Sequence, residues 1–318
     1  MNSHSRTAAK NYSAFMAWPY VDPLDWKPPG HWFTALLSPI TWLFPVKVVG
    51  QENLPSDATK ILYVGNHTNW ALDISLFFPA VNKLTKNRIR TITDRAHSKI
   101  PIFFQLIKFI GGVVGTRENV DRLMGSGTSP VLIYPGGAEE VWKDARIKPY
   151  TLLWADRAGF ARFAAKYGYT IVPFASVGLE DSFDIWFSIP ARWLFALVGD
   201  SRGGLVKSKK DDATAKPFSK GYVPPQVADC RIPVYKPWFL RPQTQYIVLG
   251  KPIDASNVDA DNEEAVFELR DSAREGTQEC INNALVIQAG DPDRFTDVRA
   301  LFGLGQSSYV VLKRKKEE

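Results

Sequence analysis

The chain has 318 residues, 45% of them hydrophobic, which is enough for one large domain or two small ones with a substantial core. The net charge of +6 favours anionic partners such as lipid headgroups or a phosphorylated cosubstrate, although an excess of this size also serves simple solubility. The two cysteines, Cys230 and Cys280, lie far apart, which argues against a disulfide framework and a cysteine-based metal site and favours a reducing compartment.

Residues 1–50 are expected to form an N-terminal segment with an interfacial character. Residues 1–20 lack the continuous apolar core of a signal peptide, so no secretion is implied. The stretch from Pro28 to Val46 has no charged residue, but Pro39 and Pro45 interrupt it, and a membrane-spanning helix needs about 20 continuous apolar residues. Composition favours equally a broken helical hairpin lying in a membrane face and a helix pair packed on the domain.

The most informative stretch contains a strand, a turn and a helix in succession. Lys60–Val64 has the apolar and β-branched content of a buried strand, and the turn that follows includes Asn66. Helical spacing of apolar residues resumes at Trp70. His67 is therefore expected at the carboxyl end of a strand and Asp73 in the first turns of a helix, at the edge of an α/β sheet where ligands bind.

His67 and Asp73 have the chemistry of a catalytic dyad. An imidazole accepts a proton from a hydroxyl near neutral pH when a carboxylate holds its other nitrogen in the right tautomer. Six residues correspond to about 600° of helix, so the two side chains meet only if a turn separates them. The alternative is a capped strand-to-helix junction in which His67 packs and Asp73 is solvated, and the spacing alone favours neither.

The next segments contain a second buried strand and an unusually apolar helix. The strand is predicted at Arg88–Thr93 and the helix at Lys99–Ile110, where it faces lipid, a long apolar substrate or the core. A loop then leads into a further helix and carries Arg117, a candidate for holding an oxygen-rich group. The plainer alternative is a surface ion pair of Arg117 with Glu118 or Asp121.

A pair of glycines follows the strongest predicted strand, Val131–Tyr134. Gly136 and Gly137 let the backbone approach a ligand and direct amide hydrogens at it, which suits an oxyanion or a phosphate. No Gly-Lys-Ser/Thr follows, so the segment is not a P-loop. A tight turn without a ligand is the alternative.

The remaining pattern alternates strands and helices and predicts an α/β fold with a mixed central sheet covered by helices on both faces. The further predicted elements are strands at 113–114, 170–177 and 246–249 and helices at 153–167 and 258–285. An apolar segment at 185–198 is a second candidate membrane contact. The central domain is expected to span 51–290, with a loop-rich insertion at 199–245, and 291–318 is expected to hold a C-terminal helix and a basic tail.

Five blocks of the sequence resemble, in order, the conserved blocks of the glycerolipid acyltransferase superfamily. They read NHTNWALDIS, GGVVGTRENV, YPGGAEEVW, GFARFAAKYGYTIVPFASVGLEDSF and YIVLGKPID and fall within residues 45–290. They are most similar to the diacylglycerol-acyltransferase-like branch that includes plant phytyl ester synthases. The resemblance implies the fold of that superfamily and acyl transfer, at a membrane surface, from acyl-CoA or another thioester to a lipid hydroxyl. No metal or cofactor is implied, because acyl-CoA is a cosubstrate.

The resemblance also implies roles for individual residues. His67 becomes the general base, Asp73 its orienting partner, and the segment Tyr134–Glu139 the lining of the acceptor and transition-state site. Five residues separate the histidine from the aspartate, where most phospholipid-making members have four. Gly136, Gly137, Asn66 and Arg117 complete the set of candidate oxyanion-binding and acceptor-binding residues.

Glu139 occupies the position at which the wider superfamily has an arginine. At an effective dielectric near 20, a carboxylate about 4 Å from a phosphate charge costs about 4 kcal/mol, which Arg117 offsets only if it reaches the same pocket. Uncharged acceptors are therefore expected, namely monoacylglycerol, diacylglycerol or a long-chain alcohol. A lysophosphatidate-type acceptor is the alternative.

Three other classes of protein were considered. A serine hydrolase of the α/β type needs Gly-x-Ser-x-Gly after a strand, and no predicted strand of this chain is followed by that pattern. A nucleic-acid partner is not expected, because zinc-like cysteine pairs, a helix-turn-helix signature and an RNP motif are missing from the sequence. A non-catalytic lipid-binding or tethering protein would share the apolar segments and the basic charge but would not need His67 and Asp73.

The apolar segments and the basic charge predict attachment to membrane lipids without a full span. Lys315 and Lys316, followed by two glutamates, also resemble a dilysine retrieval address. In a eukaryote this would imply the endoplasmic reticulum with the tail facing the cytosol. A plain solvated tail is the alternative.

Overall fold

The computed structural model describes residues 22–27, 38–68, 71–94, 105, 107–141, 146–190, 231–295 and 309–312. Within these ranges a mixed sheet forms the centre of the fold and a separate two-stranded sheet lies beside it. The central strands are β1 (Val46–Val49), β2 (Ile61–Gly65), β3 (Arg90–Thr93), β4 (Gly112–Val114), β5 (Val131–Ile133), β6 (Thr170–Val177), β9 (Gln245–Leu249), β10 (Ile253–Asp254) and β11 (Tyr309–Leu312). The two-stranded sheet consists of β7 (Phe183–Pro190) and β8 (Arg231–Leu240).

The helices alternate with these strands along the chain. They are α1 (Ser38–Leu43), α2 (Leu72–Thr85), α3 (Arg117–Ser126), α4 (Gly137–Val141), α5 (Gly159–Tyr167), α6 (Leu179–Ser182) and α7 (Glu263–Ala289). Short 3-10 turns occur at Pro23–Asp25 and Gln51–Asn53.

The strand order brings the turns after β2, β5 and β6 to one edge of the sheet. The order is β11-β1-β9-β6-β2-β5-β3-β4, and β10 pairs with β6. Strands β6, β2, β5, β3 and β4 are mutually parallel, whereas β9 runs antiparallel to β6. The turns after β2, β5 and β6 therefore meet at the carboxyl edge, the usual ligand-binding edge of an open α/β sheet.

Helices cover both faces of the sheet, as the sequence predicts. Along β2, Leu62 and Val64 belong to the apolar cluster that contains side chains of α3, α5 and α7. Ile61 and Tyr63 point to the opposite cluster, which contains side chains of α2. Because every residue of β2 is buried, its sequence is apolar throughout instead of alternating.

The strands predicted at 60–64, 88–93, 113–114, 131–134, 170–177 and 246–249 are confirmed, and β6 has both predicted ends. The helix predicted at 153–167 is wrong in its first part, because α5 begins only at Gly159. Leu153 donates its backbone N–H to a distant carboxylate, and Ala155 has a left-handed backbone with φ 46°. Both features are incompatible with a helix through this segment.

Three further segments, at 185–198, 199–245 and 291–318, contain strands that the sequence did not predict. The start of the apolar segment at 185–198 is strand β7, and the end of the expected insertion at 199–245 contains strand β8 paired with it. Within 291–318, the described residues 309–312 form strand β11 beside β1 where a helix was expected. Of the predicted N-terminal hairpin, residues 28–37 lie outside the described residues, whereas its second part forms α1, beside which Phe44 is buried in the core. Most of the helix predicted at 99–110 also lies outside the described residues. In the described ranges, none of the helices combines the length and the apolar character needed to cross a membrane.

Candidate active site

His67 and Asp73 meet at the carboxyl edge of β2. The two carboxylate oxygens of Asp73 lie 2.9 and 3.1 Å from His67 Nδ1. The turn that the dyad requires is present, since Ala71 adopts a left-handed backbone and donates its N–H to the Thr68 carbonyl. Asp73 sits in the first turn of α2 and is fully buried, so the alternative of a solvated aspartate is wrong.

The second ring nitrogen of His67 is left available. In the part of the chain that the structure describes, Nε2 has no hydrogen-bond partner, and the residue keeps a small exposed fraction. A carboxylate at Nδ1 favours the tautomer with the proton on Nδ1, which leaves Nε2 as a proton acceptor. The arrangement is that of a general base held by its orienting partner.

Glu140 is a buried carboxylate that ties three segments together. Its Oε2 accepts the backbone N–H of His67 at 2.7 Å, and its Oε1 accepts the backbone N–H of Leu153 at 2.8 Å. A Cβ on Gly136 would lie 2.0 Å from the carboxylate carbon of Glu140. Glycine is therefore required at 136 because the Glu140 side chain occupies the space of a larger residue. The sequence did not predict this role of Glu140.

The two candidate glycines differ in their amide groups. The Gly137 N–H donates to the Tyr134 carbonyl at 3.0 Å, and Gly137 takes the left-handed backbone, with φ 51°, that this turn needs. Within the described ranges, the Gly136 N–H makes no hydrogen bond. The N–H of Gly136 is therefore available to bind an oxyanion, whereas that of Gly137 is already hydrogen-bonded within the described residues.

Arg157 organises the same loop, and sequence reasoning did not select it. Its Nη1 donates to the carbonyls of Pro135 and Gly136, each at 2.7 Å. Its Nη2 donates to Glu139 Oε1 at 2.7 Å. The charge of Glu139 is therefore offset by a partner 18 residues away, and the simple expectation of an unpaired carboxylate facing the acceptor is corrected.

Tyr134 covers the ring of His67. The two rings are parallel within 5° and their centroids are 3.9 Å apart. Burial, together with the carboxylates of Asp73 and Glu140, raises the pKa of Tyr134 well above its usual value. The phenol is therefore neutral throughout the physiological pH range.

Asn66 and Arg117 have other partners than a substrate. The side-chain amide of Asn66 donates to the Ser176 carbonyl at 3.0 Å and accepts the Ser176 N–H at 2.9 Å, which joins the end of β2 to β6. Arg117 begins α3, has a side chain that is 83% exposed and lies 4.0 Å from Asp121. It follows β4, which is three strand positions or about 14 Å from β2. The surface ion pair, the plainer alternative, is the arrangement present.

Across the described ranges, no group of three or more His, Cys, Asp and Glu side chains is placed to hold a metal ion. The letters Gly-x-Ser-x-Gly occur at Gly199–Gly203, which lie outside the described residues.

The family comparison agrees with this geometry. Residues 45–177 match the model of the Acyltransferase family, and this range contains the dyad, the glycine loop and Arg157. This part of the chain is similar to an acyltransferase domain. The resemblance to the glycerolipid acyltransferase superfamily is confirmed.

Relatives of the acyltransferase domain work on lipids, as their names state. Phytyl ester synthase 2, chloroplastic, of Arabidopsis thaliana is 27% identical over 263 residues, which are 79% of this chain and 36% of that protein. The chain thus spans about a third of the length of that relative. A DGAT1/2-independent enzyme synthesizing storage lipids, of Mus musculus, is 26% identical over 137 residues, or 43% of this chain and 40% of that protein.

A solved structure also matches at a distance. The crystal structure of the 1-acyl-sn-glycerophosphate acyltransferase PlsC from Thermotoga maritima has a TM-score of 0.42 and 15% identity, covering 87% of this chain and 88% of that one. This likeness is too distant to indicate which acceptor the acyltransferase domain uses.

Proposed function

We propose that the chain transfers a fatty acyl group from acyl-CoA to the hydroxyl of a lipid, with His67 as the general base. The observation that carries this proposal is the buried contact of Asp73 with His67 Nδ1, which leaves Nε2 available inside an acyltransferase domain. The dyad has the donor, acceptor and burial that hydroxyl activation needs.

The reaction needs no acyl-enzyme. The acceptor oxygen attacks the thioester carbonyl while His67 Nε2 takes its proton, and the carbonyl oxygen becomes an oxyanion near the Gly136 N–H. The tetrahedral intermediate collapses by breaking its carbon–sulfur bond, and coenzyme A leaves as a thiolate. General base catalysis contributes roughly 10² to 10⁴ in rate and one oxyanion donor roughly 3 kcal/mol, which suits an already activated thioester.

The proposed acceptor is uncharged: monoacylglycerol, diacylglycerol or a long-chain alcohol. The names of the relatives, a phytyl ester synthase and a storage-lipid enzyme, favour neutral lipids. The ion pair of Glu139 with Arg157 gives a physical reason. Glu139 occupies the guanidinium that would otherwise offer a charge-assisted hydrogen bond to a phosphate in this loop.

The first experiment is an acyl-transfer assay with purified protein, labelled acyl-CoA and a panel of lipid hydroxyls. Wild-type protein is expected to form a labelled ester, and a folded His67→Ala variant is expected to be at least ~10²-fold slower. Near-wild-type turnover by that variant would show that His67 is not the general base. Absence of any ester with every acceptor would leave the non-catalytic lipid-binding alternative.

The acceptor is tested by comparing monoacylglycerol with lysophosphatidate of the same chain length in the same micelles. Wild-type protein is expected to prefer monoacylglycerol, and Glu139→Gln, which releases Arg157, is expected to raise relative turnover of lysophosphatidate. Arg157→Gln is the matched control, since it removes the cation and should not raise it. A wild-type preference for lysophosphatidate that Glu139→Gln leaves unchanged would contradict the charge argument.

The proposed location is a membrane surface. In a eukaryote, this would be the endoplasmic reticulum membrane, with the protein facing the cytosol. Support comes from the charge-free stretch at 28–46, the net charge of +6 and two large exposed aromatic residues on β7, Trp186 and Phe187. Attachment by apolar insertion is expected to persist at high salt, because salt screens charges and not apolar contacts. If replacement of Lys315 and Lys316 by alanine leaves the location of the protein unchanged, the hypothesis that this tail is a retrieval address is refuted.

A further inference from the structure

The ring of Tyr134 makes the closest face-to-face aromatic contact in the site. It follows β5 directly and lies parallel to the His67 imidazole at a centroid distance of 3.9 Å. On β6, Phe174 meets the Tyr134 ring edge-on at 5.9 Å. The tyrosine is therefore supported by Phe174, and both it and His67 are buried. From the sequence, Tyr134 was expected to end a strand and, by the family resemblance, to begin the segment that lines the acceptor site, but no contact with His67 was predicted.

We propose that Tyr134 is a positioning residue for His67: its aromatic face sets the plane of the imidazole and stabilises the imidazolium that forms during acyl transfer. The inference rests on the proposed function for its catalytic consequence. The stacking itself is a property of the folded protein and can be tested without turnover.

Two contacts are needed to hold an imidazole in one orientation. The hydrogen bond from Nδ1 to Asp73 fixes one edge of the ring but leaves it free to tilt about that bond. A flat surface 3.9 Å from the ring removes the tilt, so that Nε2 keeps one direction. Holding the base in a productive geometry is a recognised source of rate, and small misplacements are costly.

The electrostatic part follows from the charge distribution of an aromatic ring. Its face carries negative potential, so a cation stacked on it is favoured, most of all where water is excluded. Among the residues that the structure describes, the other charged groups in contact with His67 are Asp73, at Nδ1, and Glu140, at the backbone N–H. Both carboxylates act on the same imidazolium, and the stacked ring adds to them without carrying a charge itself.

The hydroxyl of Tyr134 is not required by this inference. The aromatic face is shared by tyrosine and phenylalanine, whereas leucine has similar bulk and no such face. Tyr134→Phe is therefore the matched control for Tyr134→Leu. The pair separates loss of the aromatic face from loss of the hydroxyl.

The test measures the imidazole directly and then through activity. Histidine labelled with ¹³C gives signals for the four histidines, and a His67→Ala spectrum assigns the one that matters. In Tyr134→Leu the titration midpoint of His67 is expected to fall by about 0.5–1 pH unit, while in Tyr134→Phe it stays near wild type. In the acyl-transfer assay, the acid limb of kcat/KM should move by the same amount, with kcat reduced and KM little changed.

Several results would overturn the inference. One is a folded Tyr134→Leu variant in which the His67 titration midpoint and the acid limb of kcat/KM are the same as in wild type. A purely structural role of Tyr134 would lower activity without moving either quantity. Another is a Tyr134→Phe variant that shifts as far as Tyr134→Leu, which would assign the effect to the hydroxyl. If Tyr134→Leu does not fold, Tyr134→Met takes its place, and the same two results decide. If wild-type protein shows no acyl transfer at all, the proposed function is refuted. The shift of the His67 titration midpoint would then still test the stacking of Tyr134 on His67.

Discussion

The carboxylate of Asp73 can be changed to an amide with almost no change of shape. In the wild type its oxygens lie 2.9 and 3.1 Å from His67 Nδ1, in a fully buried position. An asparagine can instead present its NH₂ to Nδ1, which places the ring proton on Nε2. In that tautomer Nε2 cannot accept the proton of the acceptor hydroxyl, so Asp73→Asn is expected to disable His67 while it keeps the packing.

Two independent estimates give the size of the effect. Loss of general base catalysis costs roughly 10² to 10⁴ in rate. Loss of the carboxylate beside the imidazolium removes an attraction of about 4 kcal/mol for charges about 4 Å apart at an effective dielectric of 20. At 1.36 kcal/mol per tenfold, this corresponds to about 10³ in rate. We therefore expect kcat to fall by about 10³-fold in Asp73→Asn.

The assay follows ester formation from labelled acyl-CoA at saturating acceptor, with the unfolding midpoint measured in parallel. The double variant His67→Ala with Asp73→Asn should be no slower than His67→Ala alone, because the two residues act as one unit. Asp156→Asn is the control, since Asp156 is a fully exposed carboxylate away from the dyad. A folded Asp73→Asn variant within a few-fold of wild-type kcat, or a double variant in which the losses multiply, would refute the reasoning.

Three further changes test the surroundings of the dyad and the membrane surface. Glu140→Gln cannot accept both backbone N–H groups, so the free energy of unfolding in urea should fall by about 1–3 kcal/mol, and kcat should fall with it. Gly136→Ala displaces the Glu140 carboxylate and should reduce activity at least ~10-fold. Gly159→Ala is the control and should keep full activity, because a Cβ at that position would meet nothing within 4 Å. Equal activities of the two variants would contradict the packing argument. Replacement of both Trp186 and Phe187, which are 60% and 44% exposed, by serine should weaken sedimentation with liposomes in high salt; unchanged sedimentation would place membrane contact elsewhere.

Local chemistry was enough to predict the framework around the dyad. Strand β6 was predicted with both ends correct, because a mainly apolar stretch rich in β-branched residues lies between Gly168 and Gly178. Strand β2 was predicted at 60–64 and spans Ile61–Gly65, a shift of one residue, because its buried apolar run ends at a turn before His67. Asp73 was placed in the first turn of a helix because the apolar spacing after the turn is helical. In each case the pattern that predicts the element is carried by residues that are close in sequence.

The tertiary structure decided which distant groups complete the site. Glu140 accepts the N–H of a residue 73 positions away, and Arg157 bonds carbonyls and a carboxylate 18 to 22 positions away. No periodicity or spacing records such pairs. The first depends on how β2 and β5 lie side by side in the sheet, and the second on how the segment before α5 folds back onto the loop after β5. The late start of the helix predicted from Leu153, which begins only at Gly159, has the same origin. Its backbone N–H bonds the buried Glu140 carboxylate instead of a helical carbonyl, and a buried charge left without that partner would cost more than the lost helical turn.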